Sequence, residues 1–537
     1  MAALNVNLNA EWHKFGSSSV RGYAYNGDQL LCGTAFGSYL ENISMADIQA
    51  TLLQINGFFA FIKRNNNNLI AATDRLRTIP LYYSLVRNNF YISDDAYWIS
   101  EKVKDKNYDS LAATEFMLTG YVTGANTLYR NVKQLQAGEM LYLKPKGQQS
   151  GITANRYFQY VHQKYNDLAE AEFTDRFEQI LHNVFSRLLN WAKGRTIVVP
   201  LSSGYDSRLI LMMLKQFGYE NVIAFSYGRP GNQESKISKA VAQALGIRWL
   251  FVPYSNEAWY QWFHSEEMKA YYRMADGLCS LPHIQDWPAV RELKLSKSIP
   301  DDSIFVPGHS ADLLAGSRSK KYPSIYNMTD IQVNSLVQEI LNSHYSLWDW
   351  SKQRQQLYHI LRKRILQSLG DIQMFPDAAS AFEAWDVQER QAKFIVNSVR
   401  VYEFWGYEWS LPFWDAEFMD FWRGVPIRMR IGQKRYNLYV ESLYRKLTGN
   451  DNIENGSTRT AMLNIKLKNF SRKTPLYKLL SKVVLYLRTY ELYDKYPLCW
   501  YGIMSKKQFK KIYTMSESIN SGLNAFLVLE RLGKLRL

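Results

Sequence analysis

The residues best suited to chemistry lie in one short stretch, residues 196–214, which reads TIVVPLSSGYDSRLILMML. Its β-branched run predicts a strand, Ser202-Ser203-Gly204 predict a tight turn, and the apolar run from Leu209 predicts a helix. Backbone N–H groups at the start of such a helix bind anions, and Asp206 offers a hard oxygen ligand for Mg²⁺. The stretch therefore predicts a site for pyrophosphate with its metal ion. The alternative is an ordinary strand-to-helix turn capped by Ser or Asp.

This loop resembles a known pyrophosphate-binding motif. LSSGYDS at residues 201–207 is similar to the LSGGxDS loop of the asparagine synthetase family, with Ser203 in place of a Gly and Arg208 where the family often has Ser. It is not a Walker loop, because no Gly-Lys-Ser or Gly-Lys-Thr follows. The resemblance implies that the loop binds Mg·ATP through Leu201, Ser202, Ser203, Gly204, Asp206 and Ser207.

A second motif follows about a hundred residues later. IFVPGHSAD at residues 304–312 looks like the family's LSGxGxDExFxGY segment, with Gly308 and Asp312 retained. The resemblance implies that Gly308 belongs to the nucleotide site and that Asp312 shares Mg²⁺ with Asp206. Two carboxylates and a triphosphate can hold a six-coordinate cation while leaving water ligands in place. The alternative for Asp312 is the N-cap of a helix that starts at Leu313.

Two departures of this second motif from the family matter for function, and they lie at His309 and Leu313. The family usually has an acidic residue at the first and a Glu at the second. A histidine titrates near neutral pH, so His309 could act as general base toward an amine. It could equally bind an anionic substrate, or simply pack at a turn. We interpret the change as an indication that the acceptor differs from ordinary aspartate plus ammonia.

Strands and helices alternate after the loop, with strands predicted at 222–226 and 249–252 and a helix at 234–245 ending at Gly246. Such alternation predicts a parallel sheet with helices on both faces. The stretch also resembles the family's FSxG…VAxxLG sequence. The resemblance implies an adenine pocket walled by the turn at 227–231 and by Phe225, Ser226 and Tyr227.

Two further stretches resemble the family. LPFWD at 411–415 is similar to its VPFLD motif, with Arg400 and Glu408 matching and Ser410 replacing an Arg. Residues 431–435, IGQKR, resemble the stretch that supplies a Lys to the pyrophosphate and the transition state. Lys434 is the better candidate for that role and Arg435 the alternative, since a cation there would stabilise developing negative charge.

Residues 10–160 are rich in short aromatic and β-branched segments, which predicts β structure. NGFFAFIKRNNNNLIAATDRLRTIPLYYS resembles the family's glutaminase domain, which implies an amino-terminal nucleophile (Ntn) hydrolase fold. In the family the nucleophile is a Cys directly after Met1, whereas this chain has Ala2 and Ala3. Cys32 lies in a strand-like run and is expected in the core. We therefore expect no glutamine hydrolysis, so that nitrogen arrives free, from a separate glutaminase, or within the substrate.

Composition restricts the class of protein. The 537 residues are 47% hydrophobic and 21% charged, as in globular chains, and three distant cysteines indicate neither a disulfide framework nor a zinc site. No signal peptide or membrane span is apparent, which predicts a cytoplasmic protein. Of the net charge of +16, about +12 lies in residues 456–537. This basic tail could contact an anionic membrane surface peripherally, but no nucleic-acid motif accompanies it, and a solvated helix face is the plainer interpretation.

Taken together, the resemblance implies an α/β and α+β chain. We expect an Ntn-hydrolase-like αββα sandwich at 1–165, a parallel-sheet adenine-nucleotide alpha-hydrolase (pyrophosphate-loop) synthetase domain at 166–450, and a basic helical extension at 451–537. The expected reaction is ATP-dependent, AMP-forming amide synthesis with Mg²⁺. The carboxylate substrate stays open, with a small molecule, a sugar uronate, a lactam precursor and a peptide side chain as alternatives. An inactive binding scaffold is the alternative of another class, and oligomeric state is left open.

Overall fold

The computed structural model describes residues 3–65, 68–104, 107–144, 151–166, 169–328, 330–450, 493–494, 503–513 and 519–533. Within these ranges the chain forms two sheet systems and a carboxyl-terminal helical part.

The amino-terminal part contains two sheets and four helices, which we call the sandwich. The strands are β1 (Ala3–Asn7), β2 (His13–Phe15), β3 (Ser18–Asn26), β4 (Gln29–Cys32), β5 (Asn56–Asn65), β6 (Asn68–Thr73), β7 (Tyr82–Val86), β8 (Asn89–Ser93), β9 (Lys133–Gln134), β10 (Glu139–Lys144) and β11 (Gly151–Arg156). The helices are α1 (Gly33–Glu41), α2 (Ile48–Gln54), α3 (Ala96–Val103) and α4 (Ser110–Thr119).

The two sheets of the sandwich pack face to face. One sheet has the order β11-β10-β6-β5-β3-β2, with β4 pairing β3, and the other has the order β1-β8-β7-β9. Ile62, Leu141 and Ile92 belong to the apolar core between the sheets, and Phe36 and Leu52 join α1 and α2 to the outer face of the larger sheet. Helices α3 and α4 cover the smaller sheet. The result is the expected αββα layering, which follows from alternating apolar positions along both faces of the strands.

A parallel sheet organises the central part of the chain. Its strands are β12 (Ile197–Pro200), β13 (Val222–Gly228), β14 (Arg248–Pro253), β15 (Ile304–Phe305) and β16 (Glu408–Trp409). The helices are α5 (Glu170–Ala192), α6 (Tyr205–Gln216), α7 (Gln233–Leu245), α8 (Asn256–His264), α9 (Glu266–Asp276), α10 (Trp287–Leu295), α11 (Ala311–Leu314), α12 (Pro323–Tyr326), α13 (Val333–His344), α14 (Arg354–Leu369), α15 (Ala378–Trp385), α16 (Arg400–Phe404), α17 (Ala416–Gly424), α18 (Ile427–Arg430) and α19 (Lys434–Thr448). A π-helical segment (Asp386–Ile395) joins α15 to a 3-10 turn (Val396–Val399), and shorter 3-10 turns lie at Ile372–Met374, Pro412–Trp414 and Ile431–Gln433.

Strand order places a crevice at the middle of this sheet. The order is β14-β13-β12-β15-β16 with every pair parallel, so the chain reverses its direction of winding at β12. In open α/β sheets ligands bind beyond the carboxyl ends of the strands at such a switch point. The predicted parallel sheet is confirmed, and the crevice lies between the loops that follow β12 and β15.

The described carboxyl-terminal segments are helical, with α20 at Lys506–Tyr513 and α21 at Ile519–Arg531. Leu523, Val528 and Leu529 of α21 are buried in the main core. Most of the basic helical extension predicted at 451–537 lies outside the described residues. None of the helices in the described ranges combines the length and apolarity that crossing a bilayer requires.

The sandwich and the parallel-sheet part share a strip of backbone hydrogen bonds. Val122 and Leu128 donate to the carbonyls of Cys279 and Leu278 at 2.9 and 2.7 Å, and Leu281 donates to Gly120 at 2.8 Å. The VPFLD-like stretch lies at the same boundary, since the Ser410 hydroxyl is 2.9 Å from the Tyr23 hydroxyl. Asp415 accepts hydrogen bonds from Asn56 and Arg187. Ser410, which replaces the Arg of the family motif, therefore contacts the sandwich.

Candidate functional site

The loops after β12 and β15 touch at Gly308. A Cβ atom at this position would lie 2.4 Å from the backbone nitrogen of Ser207 and 2.8 Å from its Cα atom. Only a residue without a side chain allows this approach. The contact brings the second motif directly against the first motif, whose last three residues form the start of α6.

Hydroxyl groups shape the first loop. The Ser207 Oγ accepts from the backbone nitrogen of Ser202 at 3.2 Å, and the Ser202 Oγ accepts from the backbone nitrogen of Gly204 at 3.1 Å. Gly204 has a φ of −77° and precedes α6 without a side-chain cap. The first N–H groups of α6 are therefore left for a ligand, which is the arrangement that binds phosphate.

The two predicted metal ligands come together at this crevice. The Asp206 Oδ2 accepts from the backbone nitrogen of Asp312 at 3.1 Å, and its Oδ1 accepts from the Tyr436 hydroxyl at 2.8 Å. Burial and the nearby Asp312 carboxylate raise the pKa of Asp206 to about 8 in the protein alone. Asp312 is exposed and lies inside α11, whose N-cap is Ser310. The alternative interpretation of Asp312 as a helix cap is therefore wrong.

This donor set suits a hard divalent cation. Two carboxylates of like charge, one exposed and one partly buried, destabilise each other until a cation or a proton lies between them. Mg²⁺ is usually bound by one or two carboxylates, with substrate phosphates and water completing its shell. Asp206 and Asp312 would hold the ion, and it would neutralise charge on the pyrophosphate.

Helix α19 approaches the site through a tight left-handed turn. Gly432 and Gln433 have φ values of 65° and 60° directly before Lys434. Tyr436 on the first turn reaches Asp206, whereas Arg435 lies against α5, with its guanidinium 5.6 Å from the ring centre of Phe173. Arg435 therefore faces away from Asp206, and the exposed Lys434 stays the predicted cation.

The predicted adenine wall differs from expectation. Strand β13 runs to Gly228, two residues further than predicted, so Tyr227 belongs to the strand. The Phe225 side chain is fully buried in the core and cannot contact a nucleotide. The Ser226 hydroxyl donates to the Leu201 carbonyl at 2.7 Å, which joins β13 to the loop. Phe225 and Ser226 therefore pack beneath the loop and support it, because residues of a central strand point into the packed layers on both faces of the sheet.

His309 lies between the nucleotide loop and a separate cavity. Its Nε2 is 3.2 Å from the Ser398 hydroxyl, and its buried Nδ1 has no hydrogen-bond partner among the described residues. Burial, with a smaller contribution from the nearby His283, lowers the pKa of His309 to about 4. The imidazole is therefore neutral at pH 7. A neutral ring suits a general base better than it suits an anion-binding cation.

Sequence reasoning missed two supports of this site. Tyr436, which holds the Asp206 carboxylate, has no sequence signal beyond its place two residues after Lys434. Ser310 replaces the second Gly of the family motif and adopts a φ of 69°. Its hydroxyl donates to Gln391 of the π-helical segment at 2.6 Å, which holds this unusual backbone in place. The replacement of this Gly by Ser was the sequence signal that could have identified Ser310 as a support of the site.

Comparison with known proteins agrees with this geometry. A family model described as a glutamine amidotransferase domain matches residues 43–158, and one described as asparagine synthase matches residues 193–446. Asparagine synthetase [glutamine-hydrolyzing] 1 of Bacillus subtilis (strain 168) is 26% identical over 236 residues. That alignment covers 42% of this chain and about a third, 34%, of the relative. In both regions the chain is therefore similar to the asparagine synthetase family.

Two solved structures show a weaker similarity. One is described as the allosteric regulatory enzyme of purine biosynthesis, with 14% identity, a TM-score of 0.19 and 44% of each chain covered. The other is the glutamine phosphoribosylpyrophosphate amidotransferase from B. subtilis complexed with ADP and GMP, with 13% identity, a TM-score of 0.19 and coverage of 54% and 61%. At such scores neither similarity bears on function.

Proposed function

We propose that this protein is an ATP-dependent ligase that activates a carboxylate as an acyl-adenylate and joins it to a nitrogen nucleophile, with release of AMP and pyrophosphate. The single observation that carries the proposal is the contact of the two motifs at Gly308. This contact sets Asp206 and Asp312 beside the uncapped start of α6. A catalytically silent scaffold would have no physical need for two mutually repelling carboxylates at that point.

Each residue has a proposed role in the two steps. Backbone groups of 202–207 bind the pyrophosphate portion of ATP, and Lys434 stabilises the charge on pyrophosphate as it leaves. In the second step the nitrogen bonds to the acyl carbon, and the bond from that carbon to the AMP phosphate oxygen breaks with its electron pair on AMP. The proton lost by the nitrogen passes to the imidazole of His309, which acts as the general base of this step.

We also propose that the sandwich does not hydrolyse glutamine. The sequence has Ala2 and Ala3 at its start, and alanine has no nucleophilic atom. Cys32 ends β4 and directly precedes α1. The match to the amidotransferase model begins at residue 43. Nitrogen would then come free in solution, from a separate glutaminase or within the substrate, and we propose a cytoplasmic setting and the boundaries 1–165, 166–450 and 451–537.

The first half-reaction tests the proposal directly. The protein is incubated with Mg·ATP, labelled pyrophosphate and a panel of acids that includes aspartate, a sugar uronate and an amino acid with a free side-chain amine. Acid-dependent return of label into ATP is the expected result, because adenylation is reversible while pyrophosphate is present. Calorimetry measures Mg·ATP binding in parallel, and an Asp312→Asn variant serves as the matched negative control.

The outcomes separate two interpretations. Exchange with one acid identifies the carboxylate substrate and supports the ligase. Absence of both exchange and Mg·ATP binding contradicts the ligase and favours a binding scaffold.

A further inference from the structure

A cavity of about 250 Å³ opens beside His309. Its walls come from distant parts of the chain: residues 281–285, the π-helical segment and the turn after it, and helix α21. His309 follows Gly308, which touches Ser207, so the cavity lies next to the proposed site of adenylation. We call it the acceptor cavity.

The carboxyl-terminal helix forms one side of this cavity. Ser521 and Asn524 of α21 line it, and both lie beyond residue 446, where the match to the asparagine synthase model ends. The Asn524 amide donates to the Pro282 carbonyl at 2.9 Å and accepts from the Tyr272 hydroxyl at 2.6 Å. Both polar ends of Asn524 are therefore used to fix the helix against the opposite wall, and its position is set by buried hydrogen bonds.

Further contacts hold α21 along its length. The Trp348 indole donates to the Gly522 carbonyl at 3.0 Å, and the Arg531 guanidinium lies 4.0 Å from the ring centre of Tyr272. Leu523 and Leu529 are fully buried. A helix anchored at both ends and along its buried face is a rigid wall.

The chemistry of the lining is polar without net charge. Lys, Arg, Asp and Glu are absent among the described lining residues, which offer imidazole, hydroxyl and amide groups beside apolar surface from Leu281, Ile284 and Phe394. The imidazole of His283 is paired with Asp286 at 2.6 Å, behind the wall. A ligand carrying an extra carboxylate or phosphate would find no unpaired cation among the described lining residues, because His283 is already paired with Asp286, and this disfavours its burial.

The volume of the cavity gives a second constraint on the ligand. A water-sized molecule such as ammonia occupies about 30 Å³ of liquid volume, and the cavity offers about 250 Å³. The space is therefore suited to a substituted amine whose remaining atoms fill the apolar part.

We propose that α21 sets the size of the nitrogen nucleophile, and that this nucleophile is a primary amine on an uncharged, partly apolar body rather than free ammonia. This inference rests on the proposed function, since it assigns the substrate that His309 serves. Ser521 is the proposed specificity residue, because it is partly exposed and lies on the cavity side of the helix.

The test uses the full chain and two amines as probes, glucosamine and benzylamine, followed by ligand-observed NMR. Ser521→Leu fills the cavity, Ser521→Ala removes only the hydroxyl, and Glu530→Gln changes an exposed position on the same helix as the matched control. We expect at least one amine to bind the wild type and the control. Binding should weaken at least about 10-fold in Ser521→Leu, as a filled pocket excludes its ligand, and by less than about 3-fold in Ser521→Ala.

Mg·ATP affinity, measured on the same samples, separates the two proposals. Unchanged Mg·ATP binding in Ser521→Leu shows that the variant is folded. The inference is overturned if Ser521→Leu binds both amines like the wild type, or if the wild type binds Mg·ATP but neither amine. If Ser521→Leu does not fold, the inference stands or falls on Ser521→Val, for which an intermediate weakening is expected. If the wild type does not bind Mg·ATP, the result would contradict the proposed function instead.

Discussion

The nucleotide loop and the acceptor cavity lie on either side of Gly308 and are built in different ways. The nucleotide end consists of two short motifs, residues 201–207 and 308–312, whose groups act largely through the backbone. The acceptor end is assembled from side chains of four separated segments between residues 281 and 524. A site made of local backbone geometry tolerates little variation, whereas a cavity made of distant side chains can change its ligand without disturbing the nucleotide end. The following predictions test this separation.

The largest effect is expected at the nucleotide end. Asp206→Asn removes a proposed metal ligand, and losing several kcal/mol of charge stabilisation should lower acid-dependent ATP–pyrophosphate exchange at least about 1000-fold. Asp302→Asn changes an exposed acid in the turn before β15 and should leave exchange unchanged. Retention of exchange by Asp206→Asn would remove the basis for the metal site.

An intermediate effect is expected where the two ends meet. His309→Gln should slow amide formation about 100-fold, as loss of a general base does, and leave ATP–pyrophosphate exchange within a few-fold. Because burial lowers the pKa of His309 to about 4, its neutral, proton-accepting form persists down to that pH. The wild-type rate should then show no loss of this base near pH 6.5. Equal losses in both half-reactions would show that the two ends are not separable.

A smaller effect is expected from Gly204→Ala. The φ of −77° is open to alanine, and the added Cβ would meet only the Ser202 Oγ at 3.3 Å. Stability should therefore change by less than about 0.5 kcal/mol, while Mg·ATP affinity falls about 10-fold because phosphate approaches this backbone closely. Gly151→Ala, at an open position, is the matched control for both calorimetric binding and thermal unfolding. Unchanged affinity in Gly204→Ala would place the phosphate elsewhere.

The smallest effect is expected in the sandwich. Incubation with glutamine should release no glutamate above background, and Cys32→Ala should not alter that result, because alanine has no nucleophilic atom and Cys32 lies at the end of β4, directly before α1. Robust glutamate release that Cys32→Ala abolishes would restore a glutaminase and identify its nucleophile.

Sequence reasoning was strongest where structure is local. The alternating elements from β12 to β14 follow from apolar periodicity and the Gly246 cap, and they are confirmed. The family motifs bring Asp206 and Asp312 into one crevice, as expected, although their roles stay predictions. Strand order could not be obtained from periodicity, because pairing between β12 and β15 depends on tertiary packing.

The misses share one physical cause, which is contact between residues far apart in the chain. Phe225 was assigned to the adenine wall from its motif position, yet the alternation of a central strand turns its ring into the core. Tyr436, Gln391 and Asn524 reach the site from helices whose docking no local pattern specifies. The acceptor cavity was therefore outside the reach of motif reasoning.

The strip of backbone hydrogen bonds that joins residues 120–128 to residues 278–281 has an evolutionary consequence. Its backbone N–H and C=O groups form hydrogen bonds with each other inside the protein. Deleting the sandwich would leave some of these buried donors and acceptors without partners, at considerable energetic cost. If the sandwich has no glutaminase activity, as proposed, it would still be retained because the parallel-sheet part folds against it. Residues 281–285 line the acceptor cavity and continue directly from this strip, so a substitution in the sandwich that moves the strip would also move one wall of the cavity.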